Sequence, residues 1–370
     1  MHFKKYRSIF ALVATLILLQ SNIIAQNKIS GKVLDKEDFE PIIGAQIFLS
    51  GTTIGTVSNA DGHFILDGIP EGIYELLVTS LGYNRVSSEL NTSKIKPSYS
   101  FTLESQVYEL NELTVVPNSE DWKYNFEEFE RIFIGEGPFS KDTKIINKEV
   151  LNFDFDPTTR VLTAYAYDKL VIENKALGYR ISYFLESFTL DYKNKITSYL
   201  GRPLFELLTS KRKRTRSKWK KNRALAYNGS FQHFVESLIE NKVAENGYTI
   251  KGEMRKDGSR YIGKETVHQN VFFAQIDSSN FELSFINFLN VTYENELEDI
   301  TYLYYLSSPI SSNNRMLVLP QTSMLTLNQA SVKIHESGYI YDSLAILFDG
   351  YWGFEKMSDT VPLNFIPESD

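Results

Sequence analysis

The densest chemistry in the sequence is a run of positive charge. Lys211, Arg212, Lys213, Arg214, Arg216, Lys218, Lys220, Lys221 and Arg223 put nine cations into the 13 residues from 211 to 223, with no acid among them. Ammonium and guanidinium groups at this density attract phosphates, sulfates and carboxylates. The run therefore reads as a site for an anionic envelope surface, an anionic glycan or an acidic protein. Trp219, inside it, could stack on a sugar ring or anchor an interface. The competing reading is a solvated face whose cations pair with the chain's surplus carboxylates.

Two other sets of residues invite a chemical reading. His233 and Glu236 fit H-x-x-E, and His335 follows 99 residues after Glu236. Zinc takes imidazole nitrogen and carboxylate oxygen with an open fourth position, so these three form the one metal set on offer, that of a zinc hydrolase. Against it, Phe234 and Val235 read as packing residues in a helical stripe. Asn152, Asp154 and Asp156 share one strand face and offer the hard oxygens calcium prefers. They lack the glycine turn and terminal Glu of a calcium loop, so a solvent-facing strand is expected. No G-x-S-x-G, phosphate-binding glycine loop or dinucleotide fingerprint appears. No catalytic residue, cofactor or metal is expected.

The elements that would position these residues can be sketched from periodicity. Trp122, Phe126, Phe129 and Phe133 recur at i, i+4, i+7 and i+11, which predicts a helix over 119–133 with one aromatic face. A longer helical stretch is expected between Pro203 and Gly247, opened by Leu204, Phe205, Leu207 and Leu208. Asn228-Gly229-Ser230 breaks it, and Phe231, Phe234, Val235, Leu238 and Ile239 form its second apolar stripe. Around these lie alternating runs: Leu151 to Phe155, Val161 to Tyr167, Leu170 to Glu173, Tyr179 to Leu190 and Ile196 to Leu200. They predict an antiparallel meander. Beyond Gly247 the chain reads mostly as strands, with turns at Asp257-Gly258, Asn313-Asn314 and Gly350.

Composition narrows the class. The 370 residues carry 39 Lys+Arg against 46 Asp+Glu, a net −7, with 42% hydrophobic residues and no Cys. That balance is too ordinary for a disordered chain, and an acidic whole argues against nucleic acid as the partner. Without Cys there is no disulfide framework, thiolate metal site, Cys nucleophile or lipid-bearing Cys. The N-terminus reads as an export signal over 1–25: Lys4, Lys5 and Arg7, then an apolar run from Ile9 to Leu19, then Ala25 at a cleavage site. That run is shorter than the ~20 residues a membrane-spanning helix needs, so no transmembrane helix is expected after signal removal. The mature chain would carry −10.

Residues 26–116 read as a small sandwich of about seven short strands spaced ~10 residues apart. The strands are Ile29–Val33, Ala45–Leu49, Phe64–Leu66, Ile73–Ser80, Val86–Leu90, Tyr99–Leu103 and Leu113–Val116. Five strings in order carry a resemblance: Ile29-Ser30-Gly31-Lys32-Val33, Pro41 to Ala45, Gly51 to Thr56, Asn59 to Phe64 and Gly72 to Leu76, followed by Leu81-Gly82-Tyr83. This stretch resembles the carboxypeptidase regulatory-like domain, which implies a transthyretin-like seven-stranded sandwich that supplies no catalytic group. In Bacteroidota such domains often precede the plug and barrel of outer-membrane receptors, and Leu110 to Val116 is similar to the segment that ends the domain there. After Pro117 no plug-like segment follows, and 254 residues are too few for a plug and a 22-stranded barrel. In zinc carboxypeptidases the regulatory-like domain follows the catalytic domain; here it comes first. Ile172 to Tyr179, Trp219 to Arg223, Ala226 to Ser230 and His233-Phe234 resemble the C-terminal region of standalone exported proteins of this type.

The expected protein is mainly β: a seven-stranded sandwich over 26–116, then a larger β-rich α+β domain over 117–370 with a helical insertion. The expected function is a non-enzymatic envelope binding or scaffolding module for a glycan or an envelope protein, in the periplasm, at the outer membrane or outside. A zinc-dependent hydrolase and a small outer-membrane barrel are the alternatives.

Overall fold

The computed structural model describes residues 27–106, 120–256, 259–306 and 318–367. The expected signal over 1–25 and the expected strand at 113–116 lie outside these residues. So do the turns at 257–258 and 313–314.

The first seven strands are β1 (Asn27–Asp35), β2 (Gln46–Leu49), β3 (Gly55–Val57), β4 (His63–Ile69), β5 (Ile73–Thr79), β6 (Val86–Asn91) and β7 (Tyr99–Leu103). They form two sheets, β4-β1-β7 and β3-β2-β5-β6. Alternation drives the arrangement: along β4, Phe64 and Leu66 point in while His63, Ile65 and Asp67 point out. The two inner faces meet in one core that includes Ile29, Val33, Ile47, Leu49, Leu76 and Phe101. β3 begins at the end of the glycine-threonine string at 51–56, where periodicity alone shows no strand.

A helix, α1 (Glu120–Ile134), then packs its aromatic face onto a six-stranded antiparallel sheet. Trp122, Phe126, Phe129 and Phe133 are all buried, as their spacing predicts. Phe129 lies at 4.7 Å from Phe188 between ring centroids, and the Trp122 indole donates to Leu151 O at 3.0 Å. The sheet contains β8 (Thr143–Ile145), β9 (Leu151–Asp156), β10 (Val161–Ala166), β11 (Leu170–Asn174), β12 (Tyr179–Asp191) and β13 (Ile196–Leu207). Its order is β8-β11-β12-β10-β9, with β13 also paired to β12. β13 corrects one expectation. Leu204, Phe205 and Leu207 have helical spacing, yet they end a strand that pairs with β12 from Asp191↔Ile196 to Tyr179↔Leu207, with one register shift between Leu185 and Ser187. Pro203 is tolerated because β13 pairs with one strand only, β12, and its carbonyl accepts from Gly51 N at 2.7 Å.

Two helices follow, α2 (Lys213–Tyr227) and α3 (Phe231–Ile239), broken at Asn228-Gly229-Ser230 as expected. Ser230 caps α3 by accepting from His233 N at 3.2 Å. The remaining strands are β14 (Tyr248–Lys256), β15 (Ser259–Thr266), β16 (Phe273–Gln275), β17 (Asn280–Leu283), β18 (Phe288–Leu297), β19 (Pro320–Leu327), β20 (Val332–His335) and β21 (Ile346–Gly350). They form the sheets β15-β14-β18-β19-β21 and β16-β17-β20. Phe234, Val235 and Leu238 of α3 share a core with Ile250, Val291, Leu325 and Trp352. The chain adds two short helices that strand-like periodicity hid, α4 (Ile300–Leu306) and α5 (Tyr351–Phe354). Among the described residues the sheets are separate and none closes on itself, so the architecture is not a barrel.

The sandwich is seated on the six-stranded sheet. Phe48 and Leu77 bury against Phe184 and Leu204, with Phe48 and Phe184 stacked at 5.4 Å. The loop after β2 joins β13 through Phe205 N donating to Thr52 O at 2.9 Å. Arg202 lies in this interface with its side chain largely buried. It pairs with Glu75 of the sandwich and, at 3.1 Å, with Glu186 of β12.

Candidate functional site

The basic run divides between two faces of α2. Lys211, Arg212, Lys213, Arg214, Arg216, Lys218, Lys220 and Lys221 are exposed, whereas Trp219 is buried and Arg223 half-buried. The inner face is a clamp on the turn that joins β11 to β12. Trp219 Nε1 donates to Lys175 O at 2.8 Å, and Asn222 Nδ2 to Ala176 O at 2.8 Å. Arg223 Nε donates to Leu177 O at 2.7 Å and its Nη2 to Gly178 O at 3.0 Å. Four consecutive carbonyls are thus taken by three side chains of one helix. The Arg223 guanidinium also lies 4.3 Å over the Tyr179 ring, and burial lowers its proton affinity from the ordinary arginine value.

The turn itself is built to receive the helix. Gly178 has φ +72°, a region that costs L-residues, and a Cβ there would meet the Trp219 ring at 2.3 Å. Asn174, fully buried, accepts from Leu177 N at 2.9 Å and donates to Ser358 O at 2.8 Å, tying the turn to the C-terminal segment. The strings at 172–179 and 219–223 therefore meet in space as one packing unit. Trp219 and Arg223 belong to it: the indole face is covered by the turn and is not presented to a sugar.

The outer face works against the helix that carries it. The first turn of α2 holds no acid, and Arg212 at the N-cap makes no side-chain capping bond. Lys213, Arg214 and Arg216 sit at the positive end of the helix dipole, where cations are unfavourable by ~0.3–1 kcal/mol each before screening. Among the outer cations, Lys218 and Arg216 reach neighbouring groups. Lys218 Nζ reaches Asp142 Oδ2 at 3.5 Å, and Arg216 Nη1 donates to Ser210 O at 2.7 Å.

Asp142 leads from α2 into a groove of about 570 Å³ between α1 and β8. Lys141, Lys144 and Lys148 line one side of it and Glu127, Glu130 and Glu136 another. These lysines lie some 70 residues before the basic run, so no local spacing joins them to it. The structure does so through Lys175, whose N donates to Asp142 O at 2.8 Å and whose carbonyl receives Trp219.

The zinc set is not brought together. His233 Nδ1 accepts from Gly229 N at 3.2 Å and lies 3.0 Å from Tyr248 OH. Glu236 is hydrogen-bonded by Tyr227 OH and by Gln232 Nε2 at 3.2 Å. Burial holds the His233 imidazole below its usual range and pushes the Glu236 carboxyl up. His335 is on β20, with Nδ1 2.8 Å from Ser337 Oγ. Among the described residues no three His, Asp or Glu side chains form a group that could hold a metal. Asp156 accepts from Thr158 N and Thr159 Oγ1 within its own turn, at 2.8 and 2.7 Å. Among the described residues no helix is long and apolar enough to cross a membrane.

No curated protein matches the chain. Among solved structures it is similar to 3-chlorocatechol 1,2-dioxygenase from Rhodococcus opacus 1CP, at 14% identity over 22% of this chain and 60% of that one, with a TM-score of 0.18. It is also similar to a protein from Bacteroides uniformis described as carbohydrate-binding, at 11% identity over 43% and 60%, with a TM-score of 0.17. The match spans less than two thirds of either chain, and scores this low support no structural argument. Residues 29–115 match the CarboxypepD_reg-like domain family. Most of the sandwich, Ile29 to Leu103, falls within that match. The chain therefore carries a CarboxypepD_reg-like domain at 29–115, with the clamped basic helix in the region that follows.

Proposed function

We propose that this protein is a non-enzymatic binding module of the bacterial envelope that engages an anionic partner, a glycan or an envelope protein, through the outer face of α2. The observation that carries the reading is the division of the basic run. Trp219, Asn222 and Arg223 fix the helix from within, while Lys213 and Arg214 stand exposed in its first turn, where cations oppose the helix dipole. Charge retained at a cost to local stability is charge available to a ligand. The domain at 29–115 would serve as a rigid support, through the Phe48–Phe184 stack and the Arg202 pairs. The basic and apolar run before Gln26 supports export, and we divide the mature chain at 26–116 and 117–370.

The test is a triple variant, Lys213→Gln, Arg214→Gln and Lys221→Gln, in the mature protein. Retention on an immobilised sulfated polysaccharide and on the organism's own envelope fraction should fall, and the salt dependence of retention should flatten. Unchanged retention with an unchanged salt profile would remove the basis of the reading.

A further inference from the structure

The groove beside α2 carries features that a polyanion alone does not use. Its floor is apolar, with the buried side chains Phe126, Ile134 and Ile145. Its walls carry opposite charge. Lys144 and Lys148 act electrostatically on Glu130, whose half-buried carboxyl is pushed up by desolvation, yet no ion pair joins them. Instead Lys148 lies 5.2 Å over the Phe126 ring. One margin is the three-residue β8, which pairs with β11 on one side; among the described residues no strand pairs with its other side, where the Thr143 N–H is taken by Ser140 O. An open strand edge offers backbone N–H and C=O groups to another extended chain.

A flat anionic membrane cannot enter such a groove, and a polyanionic glycan meets Glu127, Glu130 and Glu136 as repulsion. A polypeptide supplies what each part asks for: acids for α2, Lys141 and Lys144, backbone for β8, apolar side chains for the floor and bases for the α1 wall. We infer that the partner of this surface is an extended protein segment, acidic where it lies along α2, which continues past Asp142 into the groove and adds as a strand to the free edge of β8. The inference rests on the reading of α2 as the contact face and narrows its partner to a protein. Lys144, central in β8, discourages indiscriminate sheet extension, as lysines on edge strands do, and selects a segment that brings an acid to that point. Along an added strand, side chains alternate between the floor and the outside, so apolar residues alternating with charged ones suit the groove, an acid at Lys144 and bases toward Glu127 and Glu130.

The experiment uses the full mature chain and four probes. These are a synthetic peptide joining a polyglutamate block to a Val-Lys-Val-Glu-Val-Lys block, made in both orders; polyglutamate alone; phosphatidylglycerol vesicles; and dextran sulfate. The joined peptide, in one order, should bind about tenfold more tightly than polyglutamate. Its binding should slow amide hydrogen exchange at 143–146. Glu127→Gln should weaken the joined peptide about fivefold, as rim charges do, and leave polyglutamate unweakened. Equal affinity for the two peptides, or unchanged exchange at 143–146, would overturn the inference. Binding of vesicles or dextran sulfate through α2 with no protection of 143–146, and no preference for the joined peptide, would overturn it while leaving the anionic-partner reading intact. No binding of any probe that depends on Lys213, Arg214 and Lys221 would remove both.

Discussion

The clamp on the β11–β12 turn makes a quantitative demand on Trp219. Truncating it to alanine removes a largely buried indole and the donor to Lys175 O at 2.8 Å. Large aromatic truncations in cores cost ~3–5 kcal/mol, of which about 1 kcal/mol belongs to the hydrogen bond. Trp219→Phe keeps most of the contact with Gly178 and loses the donor, so it should cost about 1–2 kcal/mol. Gly178→Ala attacks the same contact from the other side. It places a side chain at φ +72° and drives a Cβ to within 2.3 Å of the indole. The left-handed conformation alone costs ~1–2 kcal/mol, and displacing the ring adds to it. Lys221→Ala, two residues from Trp219 on the outer face, should stay within about 0.5 kcal/mol of the parent. Urea midpoints with unchanged slopes would rank the four variants. The order expected is Trp219→Ala most costly, then Gly178→Ala, Trp219→Phe and Lys221→Ala. If Trp219→Ala is no more costly than Lys221→Ala, the helix is not held by its inner face, and the proposed role of its outer face loses its support.

Three further predictions concern other parts of the molecule. Arg202→Met leaves Glu75 and Glu186 facing without their cation and should cost about 3 kcal/mol; adding Glu75→Gln should recover part of it in a double-mutant cycle. Asp359, whose carboxyl is raised by burial from 3.8 to about 6, contributes stability that is present below pH 3.8 and lost as pH rises through about 6. Asp359→Asn should therefore gain on the parent by about 2.4 kcal/mol between pH 4 and pH 8, read by denaturant titration at each pH; a constant difference would contradict the burial. The buried His233 and His335, held below their usual range, act in the opposite sense, losing stability as pH falls below about 6.5, which is why the parent–variant difference is the quantity to read. Stoichiometric zinc should leave the melting temperature of the parent and of His233→Ala equally unaffected; a rise specific to the parent would restore the metal reading.

Where the sequence was legible, a single physical period ruled a segment. The aromatic stripe of α1 is one such case, and the alternation in β4 and along β9 to β12 is another. It misled where two patterns overlapped. Leu204, Phe205 and Leu207 have the spacing of a helix face, but long-range pairing with β12 and contact with Phe48 decide for a strand. In α2 the cations mask a second stripe, Trp219, Arg223 and Ala226 at i, i+4 and i+7, which is the face that packs. Nothing local ties Lys141, Lys144 and Lys148 to the basic run, because the connection passes through the β11–β12 turn. The motif strings at 172–179 and 219–223 were visible as strings, and only the carbonyl clamp gives them a reason.

The proposed division of α2 gives binding to its outer cations and structure to its inner face. It is tested most directly by comparing the envelope association of Lys213→Gln/Arg214→Gln/Lys221→Gln with that of the parent, at matched and verified stability. The expected result is a urea midpoint at or above the parent's, since two cations leave the first turn of α2, together with weakened association that responds less to salt. An association equal to the parent's, from a fully folded variant, would contradict it.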